Sequence, residues 1–129
     1  MTVRGAEAKI AEEVSSWEGV SSGPHRFGGT EFRFGKRELG HIHGDELADI
    51  VLPIDLRNRL VKEGKVEAHR YVPSSGWITF RFRGKEDVAT AIGLFRMSFE
   101  IARGRLSNSG ARQPPQTAVP TLSGAVAAL

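Results

Sequence analysis

The chain has 129 residues, a formal net charge of +3 and no cysteine. This length predicts a single domain that buries roughly two-thirds of its unfolded surface, and the lack of cysteine excludes disulfides, thiolate metal sites, iron–sulfur clusters and cysteine nucleophiles. No run approaches the ~18 apolar residues of a membrane span, and the charged N-terminus has no apolar signal core, so we expect a cytoplasmic protein without a membrane partner.

A first helix is predicted near the N-terminus. Within residues 6–17, Ile10, Val14 and Trp17 recur at helical spacing and form one apolar stripe. The glycines, serines and proline of residues 19–24 are predicted to end this helix.

Short strands are predicted to follow at residues 25–29 and 30–34. The pair Gly35-Lys36 predicts a tight turn, since glycine adopts the positive φ that hairpins require. Residues 37–43 would then form the return strand.

The central part of the chain predicts a buried strand, a short helix and a second hairpin. Residues 50–52 are a continuous apolar run, and a helix is expected from Asp55 to Lys62, before Gly64. The second hairpin pairs residues 66–72 with 77–83. In its second strand, the face predicted to pack on helices consists of Ile78, Phe80 and Phe82.

The longest predicted helix spans residues 86–103, and its expected buried stripe consists of Val88, Ile92, Phe95, Phe99 and Ala102. Residues 107–129 are rich in proline, serine and alanine and are predicted to form a flexible tail after a domain at 1–106. The predicted fold class is α+β. It is a single two-layer domain in which an antiparallel sheet of four to six strands packs against an N-terminal and a long C-terminal helix.

Two of the four histidines lie in Gly40-His41-Ile42-His43-Gly44. Because strand side chains alternate, His41 and His43 are predicted to share a face, and Leu39 is predicted to share it with them. Such a pair fits a ligand pocket, a metal site, a proton-transfer site or buried histidines with satisfied hydrogen bonds.

A metal would need further ligands, for which Asp45, Glu46 and His69 are candidates. The spacing from Gly35 to His41 resembles the first half of a cupin metal motif, but the rest of that motif is missing. The sequence therefore favours metal-free histidines. No metal or organic cofactor is expected, since phosphate-binding loops and GxGxxG are also lacking.

Other functions have weaker support. Trp77, with Arg81 and Arg83 on its face, is typical of a base-stacking strand, but Thr79 occupies the position expected for a second aromatic, which disfavours nucleic acid. A basic cluster around the first hairpin is more typical of a solvated surface and consists of Arg26, Arg33, Lys36 and Arg37. The acidic group Asp45, Glu46 and Asp49 is expected to lie in a solvated loop, and no serine-hydrolase motif is present.

Several pieces of the chain, in order over roughly residues 10–104, resemble the luciferase-like domain family. They are Phe27-Gly28-Gly29-x-Glu31-Phe32, Leu39-Gly40-His41-Ile42-His43-Gly44, Leu52-Pro53, Ala68-His69, Ser75-Gly76-Trp77-Ile78 and Leu94-Phe95-Arg96-x-Ser98-Phe99-Glu100. This family consists mostly of small bacterial proteins and includes the fungal luciferases, which oxygenate a hydroxylated pyrone with molecular oxygen and without a metal or organic cofactor.

The resemblance implies that His41, His43 and His69 deprotonate an acidic substrate or hold its anion. It also implies that Trp77 and Phe32 enclose a planar ring. The resulting prediction is a small-molecule pocket that serves cofactor-independent oxygenation or simple binding of a planar or anionic ligand, with Arg70 and Arg81 as further ligand-binding residues. The alternative is a non-catalytic module that binds protein or nucleic acid through its sheet or basic hairpin. The sequence leaves turnover and oligomeric state open.

Overall fold

The computed structural model describes residues 2–26, 28–69 and 75–104. Over these residues the chain forms three helices and six strands: α1 (Ala6–Ser15), β1 (Val20–Pro24), β2 (Thr30–Phe34), β3 (Arg37–His43), β4 (Leu47–Val51), α2 (Ile54–Lys62), β5 (Glu67–Ala68), β6 (Trp77–Arg81) and α3 (Asp87–Ala102). The strands form one antiparallel sheet in the order β1-β2-β3-β4-β6-β5. The predicted α+β class is confirmed, whereas the predicted tail at 107–129 lies outside the described residues.

The helices α1 and α3 pack together on one face of the sheet. On this face Phe32 of β2 contacts Phe95 of α3 edge to face, with ring centroids 5.2 Å apart, and both side chains are fully buried. Burying each such side chain contributes roughly 1.5–3 kcal/mol. Ile10 and Val14 of α1 are also fully buried, as their helical spacing predicts. The core therefore lies between the helices and one face of the sheet.

The first strand differs from the sequence prediction. β1 spans Val20–Pro24, a segment predicted to be irregular. Of residues 25–29, which were predicted to be a strand, those that the structure describes (25–26 and 28–29) lie between β1 and β2 and are not in a strand. Along β1, Val20 pairs with Phe34 and Pro24 pairs with Thr30. Pairing with β2 outweighs the weak strand preference of serine, glycine and proline, which is tolerated at the edge of a sheet.

The later strands keep their predicted order but change their limits. β4 begins at Leu47, three residues before the predicted apolar run, and so includes Asp49. β5 spans only Glu67–Ala68, although part of the predicted strand at 66–72 lies outside the described residues. The predicted core face is confirmed, since Ile78 and Phe80 of β6 and Phe82 just after it all belong to the hydrophobic core.

The long helix α3 agrees with its prediction within one residue at each end. Phe95 and Phe99 are fully buried as predicted, and Val88, Ile92 and Ala102 are partly buried against the core. The other buried residues of α3 are Ala91, Gly93, Leu94, Met97, Ser98 and Ile101. No helix among the described residues is both long enough and apolar enough to cross a membrane.

Asp45, in the turn between β3 and β4, caps the N-terminus of α1. Its Oδ1 accepts the backbone N–H of Glu7 at 2.9 Å, and its Oδ2 accepts that of Gly5 at 3.0 Å. These two donors hold the pKa of Asp45 below its ordinary value. The carboxylate satisfies two N–H groups that lack partners within the helix, so it ties α1 to the sheet.

Replacing Asp45 by asparagine is expected to lower the free energy of unfolding at neutral pH. In acid, where Asp45 itself becomes protonated, the difference between the variant and the wild type should disappear. A carboxylate whose folded pKa is depressed stabilises the fold above its unfolded pKa, here near the ordinary value of 3.8, and loses that contribution as the pH falls through the lower folded pKa. Urea midpoints of wild type and Asp45→Asn should therefore converge between pH 7 and about pH 2. The control Asp55→Asn, at an exposed position of α2, should show a smaller difference. A gap that stays constant with pH would contradict the capping role.

Candidate functional site

A cross-strand row of polar side chains marks the face of the sheet opposite α1 and α3. In register across β2, β3, β4 and β6, it consists of Glu31, His41, Asp49 and Thr79. Side chains directly opposite each other in an antiparallel sheet share a face. The neighbouring row faces the helices and consists of Phe32, Gly40, Ile50 and Ile78. The sheet thus separates the apolar core from a polar site.

A β-bulge in β3 decides which way the paired histidines point. The register with β2 shifts by one residue at Leu39, whose side chain is fully buried in the core and whose carbonyl accepts the Ser98 hydroxyl at 3.0 Å. His41 and His43 share a face as predicted, since both contact Asp49, but the prediction that Leu39 shares it is wrong, because the extra residue interrupts the alternation. Instead, Glu38 shares the open face, and its Oε2 accepts the Nδ1–H of His41 at 2.7 Å.

The two glycines that flank the histidine pair have backbone roles. A side chain at Gly40 would place its Cβ 2.6 Å from the carbonyl oxygen of Asp49 and 2.8 Å from a ring carbon of Phe95. Gly44 adopts a φ of +60°, which favours glycine, in the turn after β3. These glycines let β3 pack closely under α3 and then reverse direction.

Asp49 is the centre of the polar site. Its Oδ2 lies 3.2 Å from the Nε2 of His41, 3.3 Å from that of His43 and 3.6 Å from that of His69. Its Oδ1 accepts a hydrogen bond from the Thr79 hydroxyl at 2.6 Å. The expectation of a solvated loop carboxylate is wrong for Asp49, which is 6% exposed because β4 begins at Leu47.

The sequence prediction missed His25, which lies just after β1. Its ring stacks on that of His41, with centroids 3.9 Å apart and planes 20° apart, and contacts the ring of His43 edge-on. Three of the four histidines thus contact one carboxylate, and the fourth, His25, contacts the rings of two of them. We call His25, His41, His43, His69 and Asp49 the histidine cluster. A prediction of Val20–Pro24 as a strand would have revealed His25 as a site residue. The pairing of this strand with β2 places His25, which follows it, next to His41 of β3.

The charges of the cluster are strongly coupled. Burial disfavours the charge of His41, but hydrogen bonds to Asp49 and Glu38 outweigh it and raise the pKa of His41 to about 9. Burial also opposes ionisation of Asp49 and Glu38, but their hydrogen bonds, chiefly with His41, hold both pKa values below the ordinary range. Burial, followed by repulsion from His41, lowers the pKa of His25. Charged and neutral imidazoles therefore lie in contact near neutral pH.

An open cleft of about 860 Å³ lies over the histidine cluster. Trp77 forms part of its wall, with its ring centroid 5.5 Å from that of His41 and 6.2 Å from that of His69. Arg26 and Arg81 also line the cleft, and Arg81 Nε donates to Glu67 Oε2 at 3.0 Å. The cleft combines an aromatic surface with imidazoles, guanidinium groups and the carboxylates of Glu38, Glu46, Asp49 and Glu67.

The structure brings together most of the residues predicted to form the site. His41, His43, His69, Trp77 and Arg81 all line the same cleft. Arg70 lies outside the described residues.

Phe32 requires a correction. Its side chain is fully buried against Phe95 on the helix-covered face, so it does not lie with Trp77 in the cleft. Its strand alternation was predicted correctly, but the sequence did not reveal that its face is opposite to that of the histidines.

The other charged residues that the sequence singled out do not all lie in the cleft. Asp45, a candidate metal ligand, caps α1, whereas Glu46 lines the cleft. In the first hairpin, Arg33 bonds within the hairpin to Glu31 and to the carbonyl of Lys36.

Residues 36–98 match the family model of the Luciferase domain, which confirms the predicted resemblance. The matched range includes His41, His43, Asp49, His69 and Trp77, whereas His25 precedes it. No curated protein and no solved structure matches the chain significantly.

Removing the Thr79 hydroxyl is expected to destabilise the protein through Asp49. Thr79→Val keeps the side-chain shape but leaves a buried carboxylate oxygen without its hydroxyl donor, at a cost of about 1–3 kcal/mol in the free energy of unfolding. Urea denaturation at pH 7 measures this, and Thr79→Ser, which retains the hydroxyl, should recover most of the loss. Equal stability of the valine variant and the wild type would contradict the dependence of Asp49 on Thr79.

Proposed function

We propose, from the premise that residues 36–98 of this chain form a luciferase-like domain, that the protein binds a small, planar, acidic organic molecule in the cleft over the histidine cluster. The observation that carries this proposal is the convergence of four imidazoles, one buried carboxylate and Trp77 in a single open cleft. The helices α1 and α3 cover the opposite face of the sheet, so the histidine cluster is open to solvent through the cleft.

The dimensions of the cleft suit a small molecule. A volume of about 860 Å³ falls within the roughly 300–1,000 Å³ that is typical of ligand sites. Trp77 is half-buried and presents its ring beside those of His41 and His69. A flat conjugated ring would bury apolar area against these aromatic surfaces, which supports a planar ligand.

The polar groups suit a ligand that carries an acidic hydroxyl. A neutral imidazole can accept the proton of a bound acid, and an imidazole N–H can donate to the resulting oxyanion. The guanidinium group of Arg26 lines the same cleft, whereas that of Arg81 is bonded to Glu67. These features support the roles that the family resemblance implies for His41, His43 and His69.

The alternative of a non-catalytic interaction module has less support. The Arg33 side chain bonds to Glu31 and Lys36 within its own hairpin, which reduces the charge that it presents to a partner. Trp77, the candidate stacking residue, lies beside His41 in the cleft. A double variant Arg33→Glu, Arg37→Glu that abolished binding of an RNA or protein probe would favour this alternative instead.

Binding of a hydroxylated 2-pyrone is expected to change the fluorescence of Trp77. The chain has two tryptophans, and Trp17 packs against Phe99 away from the cleft, so Trp17→Phe leaves Trp77 as the reporter. Titration of the pyrone should give saturable quenching at pH 7 in the presence of a chelator. The methyl ether of the same pyrone, which lacks the acidic hydroxyl, should bind at least about tenfold more weakly, as expected for loss of a charge-assisted hydrogen bond.

Calorimetry on the full chain provides the matched comparison. Trp77→Ala should weaken pyrone binding about fivefold, which corresponds to roughly 1 kcal/mol of ring contact. The control Arg37→Gln, at an exposed position of the β2–β3 hairpin, should leave the affinity unchanged. Absence of saturable binding, or equal affinity for the pyrone and its ether, would contradict the proposal.

The family resemblance adds an activity that can be measured separately, oxygenation of the bound ring by molecular oxygen. An oxygen electrode should record uptake that depends on both the protein and the hydroxylated pyrone. Uptake should fall at least tenfold in Trp77→Ala at subsaturating pyrone if binding and positioning both depend on this ring. Tight binding without oxygen uptake would limit the function to ligand binding.

A further inference from the structure

We propose that His41 Nε2, His43 Nε2 and Asp49 Oδ2 form a binding site for a divalent first-row transition-metal ion at the base of the cleft. This proposal does not rest on the proposed organic ligand. The sequence favoured metal-free histidines because the rest of the cupin motif is missing, and its candidate third ligands were Asp45, Glu46 and His69. The fold supplies a different third ligand, Asp49, from the adjacent strand.

The distances within this group are those of a coordination shell. Tetrahedral ligands that each lie about 2.0–2.1 Å from a zinc ion are separated from one another by about 3.3 Å. The Oδ2 of Asp49 lies 3.2 Å from the Nε2 of His41 and 3.3 Å from that of His43. The three atoms also lie within 4.8 Å of one another. An ion can therefore contact all three with small side-chain adjustments.

Two of the three ligands are already oriented by second partners. The Nδ1–H of His41 is donated to Glu38 at 2.7 Å, which directs its Nε2 toward Asp49. The Thr79 hydroxyl occupies the Oδ1 of Asp49 at 2.6 Å, which leaves Oδ2 for the histidines. Carboxylate–histidine–metal arrangements of this kind fix the tautomer and the direction of metal ligands. A bound ion would occupy the position of the Nε2 proton of His41.

The ring geometry selects this group over a second one formed by His25, Glu38 and His41. The rings of His25 and His41 are stacked with planes 20° apart, so their lone pairs lie in two nearly parallel planes and are poorly placed to converge on one ion. The rings of His41 and His43 are 87° apart, and their Nε2 atoms meet at the same oxygen. Only the latter pair is arranged to share a metal.

The site would keep positions open for exchangeable ligands. Three protein ligands facing a cleft are typical of catalytic metal sites, where water or substrate completes the coordination. Two histidines and one carboxylate suit Zn²⁺, Fe²⁺ or Co²⁺ better than Ca²⁺ or Mg²⁺, which prefer oxygen ligands. His69, whose Nε2 lies 3.6 Å from the same Asp49 oxygen, borders these open positions.

Titration of the full chain with Co²⁺ and Zn²⁺ tests the proposal. After treatment with a chelator and its removal, the protein should bind one ion per chain, measured by calorimetry for Zn²⁺ and by visible absorption for Co²⁺. His43→Gln should weaken both affinities more than tenfold, and Glu38→Gln should weaken them about tenfold through His41. The His43 side chain is 31% exposed, so its replacement should leave the fold intact, as circular dichroism can verify.

Two control variants make the result specific. His25→Gln removes the stacked imidazole but none of the three proposed ligands, and should change Zn²⁺ affinity by less than about twofold. Arg37→Gln, outside the cleft, should not change it. Binding of less than one ion per chain by the folded protein would overturn the proposal. A greater loss in His25→Gln than in His43→Gln would also overturn it, in favour of the other group.

The outcome is separable from the proposed organic ligand. Pyrone titrations in the presence of a chelator report on the cleft alone, and metal titrations without pyrone report on the three ligands alone. Pyrone binding without metal binding would remove the metal site and leave the ligand proposal standing. Metal binding without pyrone binding would remove the proposed organic ligand and leave the metal site standing.

Discussion

The structure depends on one buried carboxylate. Asp49 lies on the central strand β4 and is almost inaccessible to solvent, where an unpaired charge would cost several kcal/mol. The Thr79 hydroxyl and the Nε2 atoms of His41 and His43 offset this cost by contacting its two oxygens. This requirement fixes the directions of the surrounding imidazoles, so the same interaction stabilises the sheet and assembles the site.

One face of the sheet packs against the helices and the other faces the cleft, and the backbone of β3 determines which side chains lie on each face. The bulge at Leu39 sends that side chain into the core and places Glu38 with His41 on the open face. Gly40 lets α3 approach β3 closely, since any side chain there would meet Phe95 and the backbone of β4. The packing that holds α3 against the sheet therefore also determines where the histidines point.

The two proposals place different chemistry at different depths of one cleft. A planar acid would lie against Trp77 and meet the imidazoles through its oxygen, whereas a metal ion would lie among His41, His43 and Asp49. An ion there would supply positive charge next to the ligand oxygen, which is also the charge that a protonated imidazole supplies. Both proposals draw on the imidazoles that contact Asp49, and each has its own measurement.

The sequence by itself determined what depends on local periodicity. The 3.6-residue spacing of Phe95 and Phe99 marked α3, the alternation of Ile78 and Phe80 marked the core face of β6, and the family resemblance marked His41 and its neighbours. The tertiary structure decided what depends on strand pairing and register. Phe32 faces the core, and Asp49 lies at the centre of the site instead of in a solvated loop. His25 reaches His41 only through the β1–β2–β3 pairing, because cross-strand contacts join residues whose separation along the chain carries no periodic signal.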